Sequence, residues 1–166
     1  MTKYKIAEKI RGLLDYDKDT FLDINRYICR AKDIYTGEWV YGYYVVVPEE
    51  YGHNELVHAI FDPNECEHIG GGEYKDYGWY EVDPDTVCSC TGVKDKNSKD
   101  IFEGDIVHGN VYMDGPEKLN SYIVCLCRYA WTCKAIRGDY EASFWIYTVN
   151  CEIIGNAYDN PELMED

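Results

Sequence analysis

From Arg26 onward, turn-forming residues cut the chain into short runs of aromatic and β-branched residues, and this rhythm constrains the fold to strands. Arg26 to Lys32 reads as a strand, Tyr35-Thr36-Gly37-Glu38 as a turn, and Trp39 to Val47 as a strand ended by Pro48. Tyr51 to Asn54 is loop. Glu55 to Phe61 is a strand before an Asp62-Pro63-Asn64 turn. Ile69-Gly70-Gly71-Gly72 is a flexible break. Tyr77 to Val82 is a further pairing segment, Asp83-Pro84-Asp85 a turn, and Thr86 to Thr91 a strand. The second half repeats the rhythm at Ile101–Phe102, Asp105–Asn110, Tyr122–Tyr129, Thr132–Arg137, Ser143–Val149 and Glu152–Gly155. Five or six short strands at this spacing predict a small barrel. Asn160-Pro161 places an N-cap before a proline at the first helical position, which predicts one closing helical turn.

Ahead of this β region, Ile6, Ile10, Leu13 and Leu14 make one apolar stripe at helical spacing over residues 4–14. The spacing predicts a short helix docked on the body or on a partner subunit. The organisation expected is therefore an extension at 1–25, a β-rich part at 26–100, and a barrel with a tail at 101–166.

Charge narrows the partners. Sixteen Lys and Arg face 31 Asp and Glu, a formal net charge of -15. Such a field repels phosphate backbones, so nucleic acid is an unfavoured partner. It also permits the opposite reading, an acidic protein that imitates DNA. No run approaches the length of a membrane span. The first residues, Met1-Thr2-Lys3-Tyr4-Lys5-Ile6-Ala7-Glu8-Lys9, break any apolar stretch with charges, so no secretory signal is read there and the expected compartment is the cytoplasm. The 8 Cys are then expected as reduced thiols, most of them packed as small apolar groups.

Two Cys pairs invite a zinc reading: Cys88-Ser89-Cys90 and Cys125-Leu126-Cys127. On a strand, both sulfurs of each pair face one side. A regular strand spaces them about 7 Å apart, whereas zinc knuckles use longer loops that let the sulfurs converge. Apolar packing is the expectation, and no metal or cofactor is assigned. Cys66-Glu67-His68 is a weaker version of the same idea. Asp100, Glu103 and Asp105 cluster near a turn, as do acid–base or Mg²⁺ sites, but 31 acids bring neighbours together by chance. Nucleophile-elbow, zincin, P-loop and dinucleotide-binding patterns are missing. His58 alternates with apolar residues and reads as a strand position. The expectation is a non-enzymatic protein.

The most distinctive stretch is Thr91-Gly92-Val93-Lys94-Asp95-Lys96-Asn97-Ser98-Lys99-Asp100-Ile101-Phe102-Glu103-Gly104-Asp105-Ile106-Val107. It reads as a strand end, a polar hairpin loop whose Lys94, Lys96 and Lys99 keep it soluble, and a strand entered by a tight turn. Gly104 permits that turn and Asp105 can bond nearby backbone amides. Arg30-Ala31-Lys32-Asp33 and Trp39-Val40-Tyr41-Gly42 precede it, Asp83-Pro84-Asp85-Thr86-Val87 leads into it, and Ile153-Ile154-Gly155-Asn156-Ala157-Tyr158-Asp159-Asn160-Pro161-Glu162-Leu163 closes the chain. In this order the segments resemble the YopX family of bacteriophage and prophage proteins, over about residues 26–163. The resemblance implies a β fold with an SH3-like barrel at the C-terminal end, and it implies no activity. It departs at Ser98, where the family more often has Gly, and at Cys88 and Cys90.

The residues singled out as an interaction or fold motif are Thr91, Gly92, Lys94, Asp95, Lys96, Glu103, Gly104 and Asp105, with Trp39 and Tyr41. The aromatic strand at Trp39 to Val45 would need covering at a sheet edge, and pairing across a subunit interface would supply the cover. The function expected is that of a phage or prophage accessory protein acting through a host or phage protein, or through self-association. The alternative is a DNA mimic or a nucleic-acid-associated regulator.

Overall fold

The structure is a computed structural model that describes residues 27–48, 56–70, 73–109, 120–127, 130–137, 141–143 and 151–165. The helix expected at 4–14, and the whole of the 1–25 extension, lie outside these residues. So do the loop at 51–54 and most of the strand expected at 143–149.

The described strands are β1 (Cys29–Lys32), β2 (Trp39–Pro48), β3 (Leu56–Gly70), β4 (Glu73–Glu81), β5 (Cys88–Lys94), β6 (Asp100–Phe102), β7 (Asp105–Gly109), β8 (Asn120–Cys127), β9 (Ala130–Ala135), β10 (Glu141–Ser143) and β11 (Glu152–Asn156). They form two antiparallel sheets, ordered β4-β3-β2-β1-β5-β6 and β10-β9-β8-β7-β11. Among the described residues, helix is of the 3-10 kind, as in the turns Pro84–Thr86 and Pro161–Met164. No helix among them is long and apolar enough to cross a membrane.

Among the described residues no sheet closes into the expected SH3-like barrel. The second sheet is open: β10 and β11 are its two edges, and no described pairing joins them. Short strands separated by tight turns are common to barrels and open sheets, so the strand rhythm does not distinguish them. The boundary drawn between residues 100 and 101 runs through β6, which pairs with β5 in the first sheet.

The Asp62-Pro63-Asn64 turn is also corrected. Pairing jumps from Phe61–Trp79 to Cys66–Tyr77, so these residues form a bulge inside a continuing β3. The turn chemistry is present, with Asp62 Oδ1 accepting the Asn64 N–H at 2.8 Å. A bulge suits Pro63, because its missing N–H leaves no ladder bond unmade. Strand β2 is central, between β1 and β3, so the case in which it would lie at a sheet edge and need covering does not arise.

Three apolar clusters hold the sheets. Ile101, Val107, Tyr122, Val124, Cys133, Ala135 and Cys151 form one, with Val93 packed against it. Val93 and Ile101 come from the first sheet, so the β5–β6 hairpin covers the core of the second. Ala31, Ile60 and Val82 centre another cluster, and Cys88, Cys90 and Phe102 a third. The buried cysteines behave as apolar groups: burial pushes the thiol of Cys133 up to about 12 and that of Cys151 up to about 11. His58 sits in β3 with its ring stacked on Tyr44, whose hydroxyl meets its Nδ1.

Candidate functional site

Arg30 lies in the middle of β1, opposite Tyr41 on β2 and Cys88 on β5, so these three side chains share one face. An arginine on an apolar face must find a partner for its charge. The partner is Asp105, the first residue of β7: Arg30 Nη2 donates to Asp105 Oδ1 at 2.5 Å. The guanidinium is also held between two rings, 4.6 Å from the Trp39 centroid and 4.9 Å from that of Phe102. Planar guanidinium groups favour such stacking. Arg30 Nε is buried without a hydrogen-bond partner.

The other half of the pair is equally enclosed. Asp105 is 1% exposed, and its Oδ2 accepts the Phe102 N–H at 2.8 Å. Burial pushes its carboxyl above the ordinary aspartate range, against the opposing pull of Arg30 and of that N–H. Gly104, at φ +77°, makes the turn that brings β7 under Arg30. Its N–H donates to Val124 O at 2.8 Å, and its carbonyl accepts from Ala157 N at 2.9 Å.

The closing segment completes the joint from the far end of the chain. Asp159 accepts from Lys32 Nζ at 2.6 Å, Trp39 Nε1 at 2.6 Å and Asn156 Nδ2 at 2.9 Å. The Tyr158 ring meets Trp39 edge-on, with centroids 5.6 Å apart, and its hydroxyl donates to Asp85 O at 3.0 Å. The opening, central and closing sequence segments thus meet at one place, where the two sheets join.

The bonds from Asn156, Lys32 and Trp39 hold the Asp159 carboxyl down to about 2. A carboxylate with a lower pKa in the folded than in the unfolded state stabilises the fold above the ordinary aspartate value. That contribution is lost as pH falls toward about 2. Asp159→Asn is expected to flatten this part of the acid profile, measured by denaturant midpoints from neutral pH downward. The effect is modest because the side chain is 38% exposed and solvent screens it.

The rest of the motif anchors the β5–β6 hairpin. Asp95 Oδ1 accepts the N–H groups of Asn97 and Lys99, and Oδ2 accepts that of Ile153 at 3.2 Å. Burial opposes ionisation here, but these backbone donors outweigh it and hold the carboxyl low. Lys96 N–H donates to Cys151 O at 2.9 Å, and its side chain pairs with Glu152 at 2.6 Å. Lys94 pairs with Asp100 at 2.7 Å. Thr91 Oγ1 donates to Ile101 O at 2.8 Å, Gly92 turns at φ +75°, and Ser98 takes φ +64°, where glycine would be unstrained.

Asp100, Glu103 and Asp105 are not assembled into one carboxylate site. Asp100 is paired with Lys94, Asp105 with Arg30, and Glu103 Oε1 accepts the Leu126 N–H at 3.4 Å. Among the described residues no three His, Cys, Asp or Glu side chains converge as metal ligands. The side chains of Cys66, Glu67 and His68 lie outside those described. One expectation about the cysteines is overturned: Cys125 Sγ and Cys127 Sγ lie 3.5 Å apart, because the two side chains lean together along β8. Residue patterns alone did not single out Arg30 as the centre of the joint. Its signal was an arginine among Ile28, Cys29 and Ala31, matched by an aspartate before Ile106 and Val107.

Fold and joint define a two-sheet, all-β protein whose distant sequence segments lock around a buried Arg–Asp pair. The chain belongs to the YopX family: the model of the YopX protein matches residues 29–165. Among solved structures it is similar to protein EF1440 from Enterococcus faecalis, at 23% identity and a TM-score of 0.45, covering 82% of this chain and 96% of that one. No match was found among curated proteins.

Proposed function

We propose that this chain is a phage-type accessory protein that works without catalysis, in the bacterial cytoplasm, by binding protein: a second copy of itself or a host protein. The observation that carries this reading is an aromatic row across three strands. Tyr43, Phe61 and Trp79 stand directly opposite one another on β2, β3 and β4, which places them on one face. Trp79 is 40% exposed at the outer strand, and Tyr41, two residues before Tyr43 on β2, is 47% exposed. Aromatic residues are enriched in protein interfaces, where they supply large contact area. Family membership supports the phage-type setting.

The test is a nuclease-treated pull-down from bacterial lysate read by mass spectrometry, together with light scattering on the purified protein. Each is done for the native chain and for Trp79→Ser. The reading expects a self-assembly or a single captured protein that survives nuclease and is lost in Trp79→Ser. A monomer that captures nothing overturns it. Capture abolished by nuclease would favour the nucleic-acid-associated alternative.

A further inference from the structure

The paired thiols of β8 lie outside the joint and outside the aromatic row. Cys125 Sγ and Cys127 Sγ are 3.5 Å apart, and Cys125 Sγ is 3.2 Å from Thr132 Oγ1 on β9. Both cysteines are half-buried, whereas Cys88, Cys90, Cys133 and Cys151 are buried in apolar clusters. We propose that Cys125 and Cys127 form a thiol–disulfide exchange site that takes a low-molecular-weight disulfide and closes into a Cys125–Cys127 disulfide.

Geometry supports closure. Residues two apart on a strand have Cα atoms about 6.6 Å apart, at the long end of the range that disulfides accept. The sulfurs need to approach from 3.5 Å to about 2 Å. The local strand can give. The pairing of β7 with β8 ends at Ile123. Beyond it, Val124 O accepts the N–H of Gly104, and the Leu126 N–H donates to the Glu103 side chain at Oε1. Segment 125–127 therefore has a strand neighbour, β9, on one side and a turn on the other.

The exchange proceeds in two displacements. One Cys thiolate attacks a sulfur of the small disulfide, forming a mixed disulfide and expelling one small thiolate. The neighbouring Cys, its proton lost to water, attacks the protein sulfur of that mixed disulfide and expels the second. Two protein thiols are oxidised, and one small disulfide is reduced to two thiols. Burial holds the thiols of Cys88, Cys133 and Cys151 above their ordinary value, which leaves them poor competitors.

The test uses the full chain and oxidised glutathione. Trypsin cleavage after Lys118 and Arg128 isolates Cys125 and Cys127 in one peptide with no other cysteine. After treatment, alkylation and digestion, this peptide is expected to have lost both alkylatable thiols and the mass of two hydrogens. Dithiothreitol restores both. In Cys125→Ser and Cys127→Ser the remaining cysteine is expected to keep one glutathione instead, because no neighbour can displace it. The proposal is overturned if the native peptide keeps two alkylatable thiols, or if it carries stable glutathione adducts as the single variants do.

Discussion

Asp105→Ala is expected to destabilise the protein by about 3–5 kcal/mol. The substitution leaves Arg30, a residue only 7% exposed, without its counter-charge, and it orphans the buried N–H of Phe102. Chemical denaturation of the native and variant proteins checks this through a lowered midpoint at unchanged slope. The double variant Asp105→Leu with Arg30→Met separates pairing from packing. It is expected to recover much of the loss, because an apolar replacement of a buried ion pair leaves no uncompensated charge. A double variant as unstable as Asp105→Ala would show that the ring faces of Trp39 and Phe102, rather than the charge pairing, decide stability at the joint.

Gly42→Ala is expected to be comparably damaging, at about 3 kcal/mol. A Cβ on Gly42 would lie 2.4 Å from the carbonyl oxygen of Phe61 and 3.0 Å from Ile60 Cγ2. The first of these is backbone of the neighbouring strand, so no side-chain rotation relieves it. Either β2 and β3 separate or Phe61 shifts, and Phe61 lies in the middle of the aromatic row. The same denaturation measurement gives the size of the effect. Partner capture by the variant reports whether the row moved.

Much of the architecture was legible in the residues because it rests on local chemistry. Pro48 ends β2, and β7 and β11 lie where alternation and turns placed them. The Asp33 carboxylate accepts the N–H groups of Tyr35 and Thr36 in the anticipated turn before Glu38. Ser98 adopts the left-handed conformation that glycine takes without strain. What was not legible depends on distant pairing. Asp62-Pro63-Asn64 has the chemistry of a chain reversal, and only its alignment with β4 reveals a bulge. The rhythm of β7 to β11 says nothing about whether the two edge strands, β10 and β11, meet. The aromatic content of β2 indicates that it needs cover, but not that β1 and β3 supply it. The candidate site was visible as separate pieces, because Arg30, Glu103-Gly104-Asp105 and Asp159 converge only in three dimensions. The close approach of Cys125 and Cys127 depends on side-chain tilt, which residue spacing does not carry.

The joint also sets a schedule for biosynthesis. Arg30 reaches a partner 75 residues ahead, and Lys32 one 127 residues ahead. As the chain emerges from the ribosome at about 5–20 residues per second, β1 and β2 precede both Asp105, the partner of Arg30, and Asp159, the partner of Lys32 and of the Trp39 indole. Such non-local closure makes folding slow relative to chains built on neighbouring contacts. Until Asp105 and Asp159 are made, the Arg30 guanidinium and the Trp39 indole lack the acceptors they have in the fold. The joint can close only after translation has passed the closing segment.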